Sequence, residues 1–433
     1  MTDTTDAPAT ARTVVQLMHD GRCDEAVTFF GPVLRQVVTA EALQTVWSAE
    51  ARKIGDFTGI GAPSVDQAAT GDLRVTLPVK GEGGAFAVVM SFDNDGLVNG
   101  LRLAPAEPTV WTVPPYADPK AFHEQNVIVG VSSSQVPGTV TLPRKTSRPA
   151  PGVVLLSGGG PFDRDETFGP NKPLKDLAWG LATRGVAVLR FDKVTYGDPN
   201  AAATMREEYL PHALAAVQAL RGHSAVNPAR VYIVGHSMGA RVAPLVAVAD
   251  PTIAGLVLLA GDSQPMHKSA VRVFKHLHAT DPEAFPEAAV KLIEKQAALV
   301  ASDELTPDTP SSDLLFGFSG SYWLDVRAYD PVATAGGLDT PMLVLQGARD
   351  YQVTVADDLA GWKNGLTGRQ NVTFRVYDQA DHHFFPGDGP SVMADLLKPQ
   401  HVDVQVINDV ARWLGAGRAG WGRVLAGVLS RAR

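Results

Sequence analysis

Between residues 12 and 50, apolar side chains return every three or four positions. They come as Val14, Val15, Leu17 and Met18, then Val27, Phe29 and Phe30, then Leu43, Val46 and Trp47. That period predicts helices with one buried face. The period then falls to two. Leu73, Val75, Leu77 and Val79 alternate with Arg74, Thr76, Pro78 and Lys80, and Phe86, Val88, Met90 and Phe92 alternate with smaller or polar residues. Gly81-Glu82-Gly83-Gly84 and Asp93-Asn94-Asp95-Gly96 supply hairpin turns. Residues 11–104 therefore read as a small α+β domain, helices packed on an antiparallel meander, after a disordered leader over residues 1–10. Pro105, Pro108, Pro114 and Pro115 mark a linker over residues 105–121.

From residue 122 the pattern is different. Val127-Ile128-Val129 and Thr139-Val140-Thr141-Leu142 read as an antiparallel pair around a Gly/Pro turn. Short apolar runs then alternate with helix-forming segments. The runs are residues 153–156, 186–190, 231–234, 253–259, 342–345 and 372–377; the helices cover 173–184, 206–221 and 402–414. Buried strands separated by helices predict a parallel sheet covered on both faces. Residues 263–335 break the alternation with helix-like pieces, Phe285, Ala289, Leu292, Ile293, Ala297 and Val300 sharing one face, and read as a lid inserted between strands. After Gly417, the residues Trp421, Val424, Leu425, Val428 and Leu429 share one face of a basic amphipathic tail. Such a helix would dock on this chain or on a second copy, which makes a homodimer the oligomer to test; a membrane-surface helix is the alternative.

Composition narrows the class. The 433 residues exceed one ordinary domain, and 45% hydrophobic with 19% charged suits a globular chain with a large core. A net charge of −8 argues against nucleic-acid partners and against an anionic membrane. Cys23 is the only cysteine, so no internal disulfide forms. With no signal-peptide pattern at the N-terminus and no spanning apolar run, the expected location is cytoplasmic.

The strongest chemical signal is Gly235-His236-Ser237-Met238-Gly239, entered from an apolar strand and followed at once by a helix-forming run. A serine on so sharp a strand-to-helix turn is held in strained backbone above the sheet's carboxyl edge, and flanking glycines keep the turn free of clashes. A hydroxyl is a weak nucleophile, so a histidine must take its proton and an acid must orient that histidine. In this strand–turn–helix context the chain order is serine, acid, histidine. Asp350 follows the strand at 342–345, with Asp262 as the substitute acid; His382 and His383 follow the strand at 372–377. An oxyanion hole needs two backbone N–H groups: Met238, just after the serine, and Gly159 in the run Ser157-Gly158-Gly159-Gly160-Pro161. That run lacks the spacing of a phosphate-binding loop.

These segments resemble the α/β-hydrolase family over about residues 122–415. The resemblance is closer to bacterial serine hydrolases that carry a small N-terminal domain of uncharacterised function. It is carried by residues 137–143, 157–166, 169–173, 189–193, 346–353 and 382–389. It implies an α/β-hydrolase fold, esterase or acyl-hydrolase chemistry, and His382 as the base, because the family's histidine is followed by one variable residue and then Phe, here His382-His383-Phe384. Asp381 departs from the Asn or small residue usual at that position. The expected activity is cleavage of an ester, thioester or amide of a small acyl substrate through acyl-Ser237, with no cofactor. An acyltransferase with the same residues is the alternative, and a non-catalytic binding module is a third reading.

The remaining polar residues carry plainer expectations. Asp163, Arg164, Asp165, Glu166, Asn171, Lys172, Asp192 and Lys193 read as ion pairs that hold loops, and His236 and His383 as packing. His123, His276 and His278 have no partners at metal spacing, so no metal is expected. Among the lid aromatics, Phe316, Tyr322 and Trp323 are the expected substrate contacts. The N-terminal domain holds no catalytic cluster and reads as structural, an oligomer contact or a pocket wall.

Overall fold

The computed structural model describes residues 7–67, 73–93, 95–105, 111–131, 134–144 and 146–415. The basic tail after Gly417 lies outside them. The chain divides into two compact units between Val110 and Trp111.

In the first unit come helices α1 (Ala7–His19), α2 (Cys23–Ala26), α3 (Pro32–Val37) and α4 (Ala40–Ile54). Thr39 caps α4 by accepting from Ala42 N–H at 3.2 Å. Strands β1 (Phe57–Ile60), β2 (Ser64–Gln67), β3 (Leu73–Gly81), β4 (Gly84–Phe92) and β5 (Val98–Pro105) form one antiparallel sheet, with β1 and β2 both pairing β3. The alternation on β3 and β4 buries Val75, Leu77, Val79, Phe86, Val88, Met90 and Phe92 against Val14, Val15, Met18 and Trp47. Two expectations change. Residues 7–10 belong to α1 rather than to a leader, because Ala7 and Ala11 pack into this core. Residues 111–121 belong to the second unit, where the Trp111 indole donates to Asp176 Oδ1 at 2.8 Å and meets Trp179 edge-on.

The second unit holds an eight-stranded sheet. Its strands are β6 (Phe122–Val131), β7 (Ser134–Pro143), β8 (Ala150–Leu156), β9 (Ala187–Phe191), β10 (Val226–His236), β11 (Leu256–Leu259), β12 (Met342–Gly347) and β13 (Val372–Tyr377). Their spatial order is β13-β12-β11-β10-β8-β9-β7-β6. The six strands from β13 to β9 are parallel; β7 and β6 are antiparallel additions. Pro137 and Gly138 sit inside β7, opposite Ile128 and Val127, so they are not the turn of that hairpin. A side chain at 138 would crowd Val129 and the Arg190 carbonyl, which explains a glycine within a strand.

Helices α5 (Pro173–Thr183), α6 (Val194–Gly197), α7 (Met205–Arg221) and α8 (Met238–Ala249) connect the strands up to β11. Between β11 and β12 lie α9 (Met266–Thr280), α10 (Glu287–Ala301), α11 (Gly320–Ala328) and α12 (Pro331–Gly336). Then come α13 (Ala360–Gly365) and α14 (Val404–Trp413). On α10 the buried face is Val290, Ile293, Ala297 and Val300, while Leu292 is exposed. These four helices, the expected lid, share one apolar core with the α7 and α8 side of the sheet; α5 and α14 close the other side.

The chain runs from β8 outward to β9, then back across β8 to β10. Loops leaving the carboxyl ends of β8 and β10 therefore diverge, and the crevice between them is where such sheets bind ligands.

Candidate active site

Ser237 sits at that crevice, between the last residue of β10 and the first of α8. Its backbone is at φ 51°, ψ −118°, a region non-glycine residues rarely enter. Its N–H donates to the Leu259 carbonyl at 2.8 Å, and its own carbonyl accepts from Ala240 and Arg241. The strained turn is thus held by the neighbouring strand and by the first turn of α8. A Cβ on Gly235 would strike the Gly239 carbonyl, and one on Gly239 would strike the Leu156 carbonyl. Both positions must be glycine for backbone to pass backbone this closely.

The carboxyl ends of β12 and β13 bring Asp350 and His382, the expected acid and base. Asp350 is buried, and its Oδ1 accepts from the Gln352 and Val353 N–H groups at 2.8 and 2.9 Å. Its Oδ2 accepts from Gln346 Nε2 at 3.0 Å and from His382 Nδ1 at 2.8 Å. The carboxylate is locked, so the imidazole it holds has one orientation. Asp262 is engaged elsewhere, with Arg241 at 2.8 Å. The adjacent His383 is buried away from the cavity, stacked on Phe385 and edge-on to Phe168, with the His236 and His382 rings 5.2 and 5.3 Å away. Burial drives its pKa well below the usual histidine value, with the neighbouring His236 and His382 adding to the fall. Asp381 folds back to accept from His383 and Phe385 N–H, both at 2.9 Å, closing the turn that carries His382. Burial raises its pKa, against the pull of those two N–H groups.

Ser237 and His382 open into one cavity of about 420 Å³, lined also by Gly159 and Met238. A Cβ on Gly159 would lie 3.7 Å from Met238 Cβ, so these two backbones face each other across its mouth. Met238 is the first residue of α8, where a helix N–H has no partner within the helix and the dipole favours negative charge. The wall is apolar. Met266, Ala270, Val273 and Phe274 form one face of α9, with Phe316, Phe318 and Val353 completing it. The α9 stripe has helical spacing and was open to detection in the sequence. Of the three aromatic contacts expected, Phe316 lines this cavity. Tyr322 lines a neighbouring one of about 570 Å³ and donates to Glu208 at 2.8 Å. Trp323 lines neither; it is fully buried in the lid, its indole bonded to the Leu315 carbonyl.

The charged strings form the expected ion pairs around the glycine loop. Asp165 binds Arg190 and Lys172, Arg190 binds Glu124, and Arg164 chelates Asp192. Lys193 is buried and donates to the Gly158 carbonyl at 3.1 Å and to Tyr209 at 2.8 Å, with Glu208 2.9 Å away. Burial lowers its pKa, and Glu208 counters that fall. Glu166 forms its ion pair with His236, which was expected only to pack. The His236 ring is bonded at both nitrogens, Nδ1 to Glu166 Oε1 at 2.8 Å and Nε2 to the His382 carbonyl at 2.9 Å. Among the described residues, one cluster has donor atoms near enough to share a metal ion: Glu166, His236 and His383, within 4.8 Å of one another. Both nitrogens of His236 are already in use, so a metal there would displace a hydrogen bond.

The sequence profile described as "Alpha/beta hydrolase family" matches residues 153–396. The chain belongs to this family. It is 33% identical over 404 residues to Esterase EstD of Thermotoga maritima, covering 92% of this chain and 93% of that one, which supports an esterase-type hydrolase. Solved structures with similar coordinates include Est1E from Butyrivibrio proteoclasticus, 16% identical with a TM-score of 0.44, covering 67% of this chain and 99% of that one. A Pyrococcus furiosus esterase is 19% identical with a TM-score of 0.42, covering 64% and 91%. Among the described residues, no helix is long and apolar enough to cross a membrane.

Proposed function

We propose that the chain is a serine esterase that works through an acyl-Ser237 intermediate. The observation that carries this is the His382–Asp350 hydrogen bond of 2.8 Å, with His382 opening into the same apolar cavity as the strained Ser237. His382 takes the serine proton as the hydroxyl attacks the acyl carbon, then returns it to the leaving alkoxide. It next activates water to hydrolyse the acyl-enzyme, and Asp350 holds its ring and stabilises the imidazolium in both halves. The N–H groups of Met238 and Gly159 receive the negative oxygen of each tetrahedral intermediate. The cavity's apolar wall suits a short or aromatic acyl group; among the described residues that line it, Asp262 is the one carboxylate, and it is paired with Arg241.

A fluorophosphonate should add to Ser237, mapped by peptide mass spectrometry, and Ser237→Ala should abolish both labelling and ester turnover. A panel of chromogenic esters, thioesters and amides, with and without added alcohols, reads the bond cleaved and the acceptor. Labelling at another serine, or esterase activity that survives Ser237→Ala, refutes the proposal.

A further inference from the structure

Three loops carry the reacting groups: the glycine loop after β8, the turn after β10 and the loop after β13. One buried chain of hydrogen bonds joins all three. Glu166 Oε1 accepts from Gly158 N–H at 3.1 Å, next to Gly159, and meets His236 Nδ1 at 2.8 Å. His236 precedes Ser237, and its Nε2 meets the carbonyl of His382. Both partners of the ring are oxygens, a carboxylate and a carbonyl. An imidazolium facing a Glu166 carboxylate donates from both nitrogens and satisfies both oxygens. Burial on its own would lower the His236 pKa; the Glu166 charge and hydrogen bond outweigh it, and the net direction is up.

The arrangement is costly. Glu166 and His236 are 1% and 4% exposed, and Glu166 Oε2 has no hydrogen-bond partner among the described residues. Apolar side chains could fill such a volume without burying charge, so stability alone does not account for the pair. The surrounding backbone is fitted to it. A Cβ on Gly158 would come within 2.7 Å of Glu166 Oε1, so the glycine admits the carboxylate. Of the five described non-glycine residues at positive φ, three flank this chain: Glu166 at 53°, Ser237 at 51° and Phe384 at 61°. Strained loops hold their shape only where neighbours over-determine it.

We propose that Glu166 and His236 form a second carboxylate–imidazole pair, behind the first, which positions the base through the His382 carbonyl and the oxyanion loop through Gly158. Neither residue lines the substrate cavity; both act through others. The pair couples the donor that meets the oxyanion to the ring that moves the proton, so losing it misplaces both at once. The inference rests on the serine-esterase reading above.

The test uses the full chain and three variants: His236→Leu, which removes both donors; His236→Gln, which keeps one; and Glu166→Gln, close to isosteric. On one chromogenic ester, His236→Leu and Glu166→Gln should lower kcat on the order of 10- to 100-fold, as small misplacements of reacting groups do, with KM within threefold. His236→Gln should recover part of the loss. Proton NMR of the wild type should show two downfield, slowly exchanging ring N–H signals that vanish in His236→Leu and persist in Ser237→Ala. A folded His236→Leu with kcat within threefold of wild type overturns the proposal, as does a rise in KM at unchanged kcat. If His236→Leu does not fold, the same kcat and KM criteria on Glu166→Gln decide. Stoichiometric metal that is present in the purified protein and lost in His236→Leu also overturns it, because His236 would then be a ligand. Failure of the wild type to label at Ser237 would instead sink the esterase reading.

Discussion

His382 and His383 are neighbours of the same residue type, yet the structure gives them opposite consequences when removed. His382 holds a buried carboxylate at 2.8 Å and opens into the Ser237 cavity. On the proposed mechanism, His382→Ala takes away the proton acceptor for the whole reaction. The loss in kcat/KM should be on the order of 10⁴-fold or more, about 5.5 kcal/mol of transition-state stabilisation at 1.4 kcal/mol per decade. His383 lines no part of the Ser237 cavity, and it meets the His382 ring only edge-on, at 5.3 Å. Its ring packs on Phe168 and Phe385 with centroid distances of 4.6 and 5.6 Å, and its buried Nδ1 has no partner among the described residues. Truncating a buried aromatic ring to Ala costs about 3–5 kcal/mol. Deleting an unsatisfied buried nitrogen returns about 1–3 kcal/mol. His383→Ala should therefore lower stability by about 2 kcal/mol and by no more than about 4 kcal/mol, while the folded protein keeps kcat/KM within about tenfold. His383→Leu, which also removes the nitrogen but leaves less void, should stay within about 1 kcal/mol of wild type. The assays are denaturant unfolding for stability and kcat/KM on one ester for activity, on samples shown to be folded by circular dichroism. An inactive but folded His383→Ala beside an active His382→Ala would refute the assignment of the base.

Three further outcomes are expected. Gly239→Ala should abolish fluorophosphonate labelling or folding, because its methyl meets the Leu156 carbonyl and lies 2.7 Å from that of Ser157; a folded, labelled variant would show that the turn is slacker than described. Wild-type Tm should fall faster from pH 7 to pH 5 than that of His383→Leu. The folded state keeps His383 neutral, its pKa well below 6.5, whereas the unfolded chain takes up a proton there, so stability drains as pH falls below about 6.5, by up to about 1.4 kcal/mol per pH unit. His236 acts in the opposite sense, its contribution present at low pH and lost as pH rises through its raised folded value, but it is common to both proteins and cancels; parallel curves would contradict a buried neutral ring. Phe316 stands between the cavities of about 420 and 570 Å³, so Phe316→Ala should lower KM several-fold for long acyl esters relative to acetate; an unchanged chain-length profile would place the acyl group elsewhere.

Local rules made much of this protein legible in its sequence. Period-two alternation on residues 73–79 and 86–92 came from a sheet with one face packed on the helices, although Ala87 and Val89 on the other face of β4 are buried too, and apolar runs such as residues 342–345 from strands buried on both. Gly235, Ser237 and Gly239 were readable together because a strained turn permits few residue types. Asp350 and His382 were readable because side chains at the carboxyl ends of successive parallel strands converge. Short or isolated elements were not. The strands β1 and β2 hold only four residues each, too few for a period, and Pro137-Gly138 signalled a turn where the tertiary structure has a strand.

What only the tertiary structure decided is which polar residues meet. Glu166 lies 70 residues before His236, and His236 lies 146 before His382; no spacing rule joins them, because their contact depends on the order in which β8, β10 and β13 lie in the sheet. The same holds for the lid. Phe316, Tyr322 and Trp323 look alike as aromatic residues in a helical insertion, but the packing of α9 to α11 sends one to the Ser237 cavity, one to its neighbour and one to the core. Periodicity reports whether a side chain is buried. Whether it is buried against protein or against substrate depends on distant elements whose positions arise only when the whole sheet has closed.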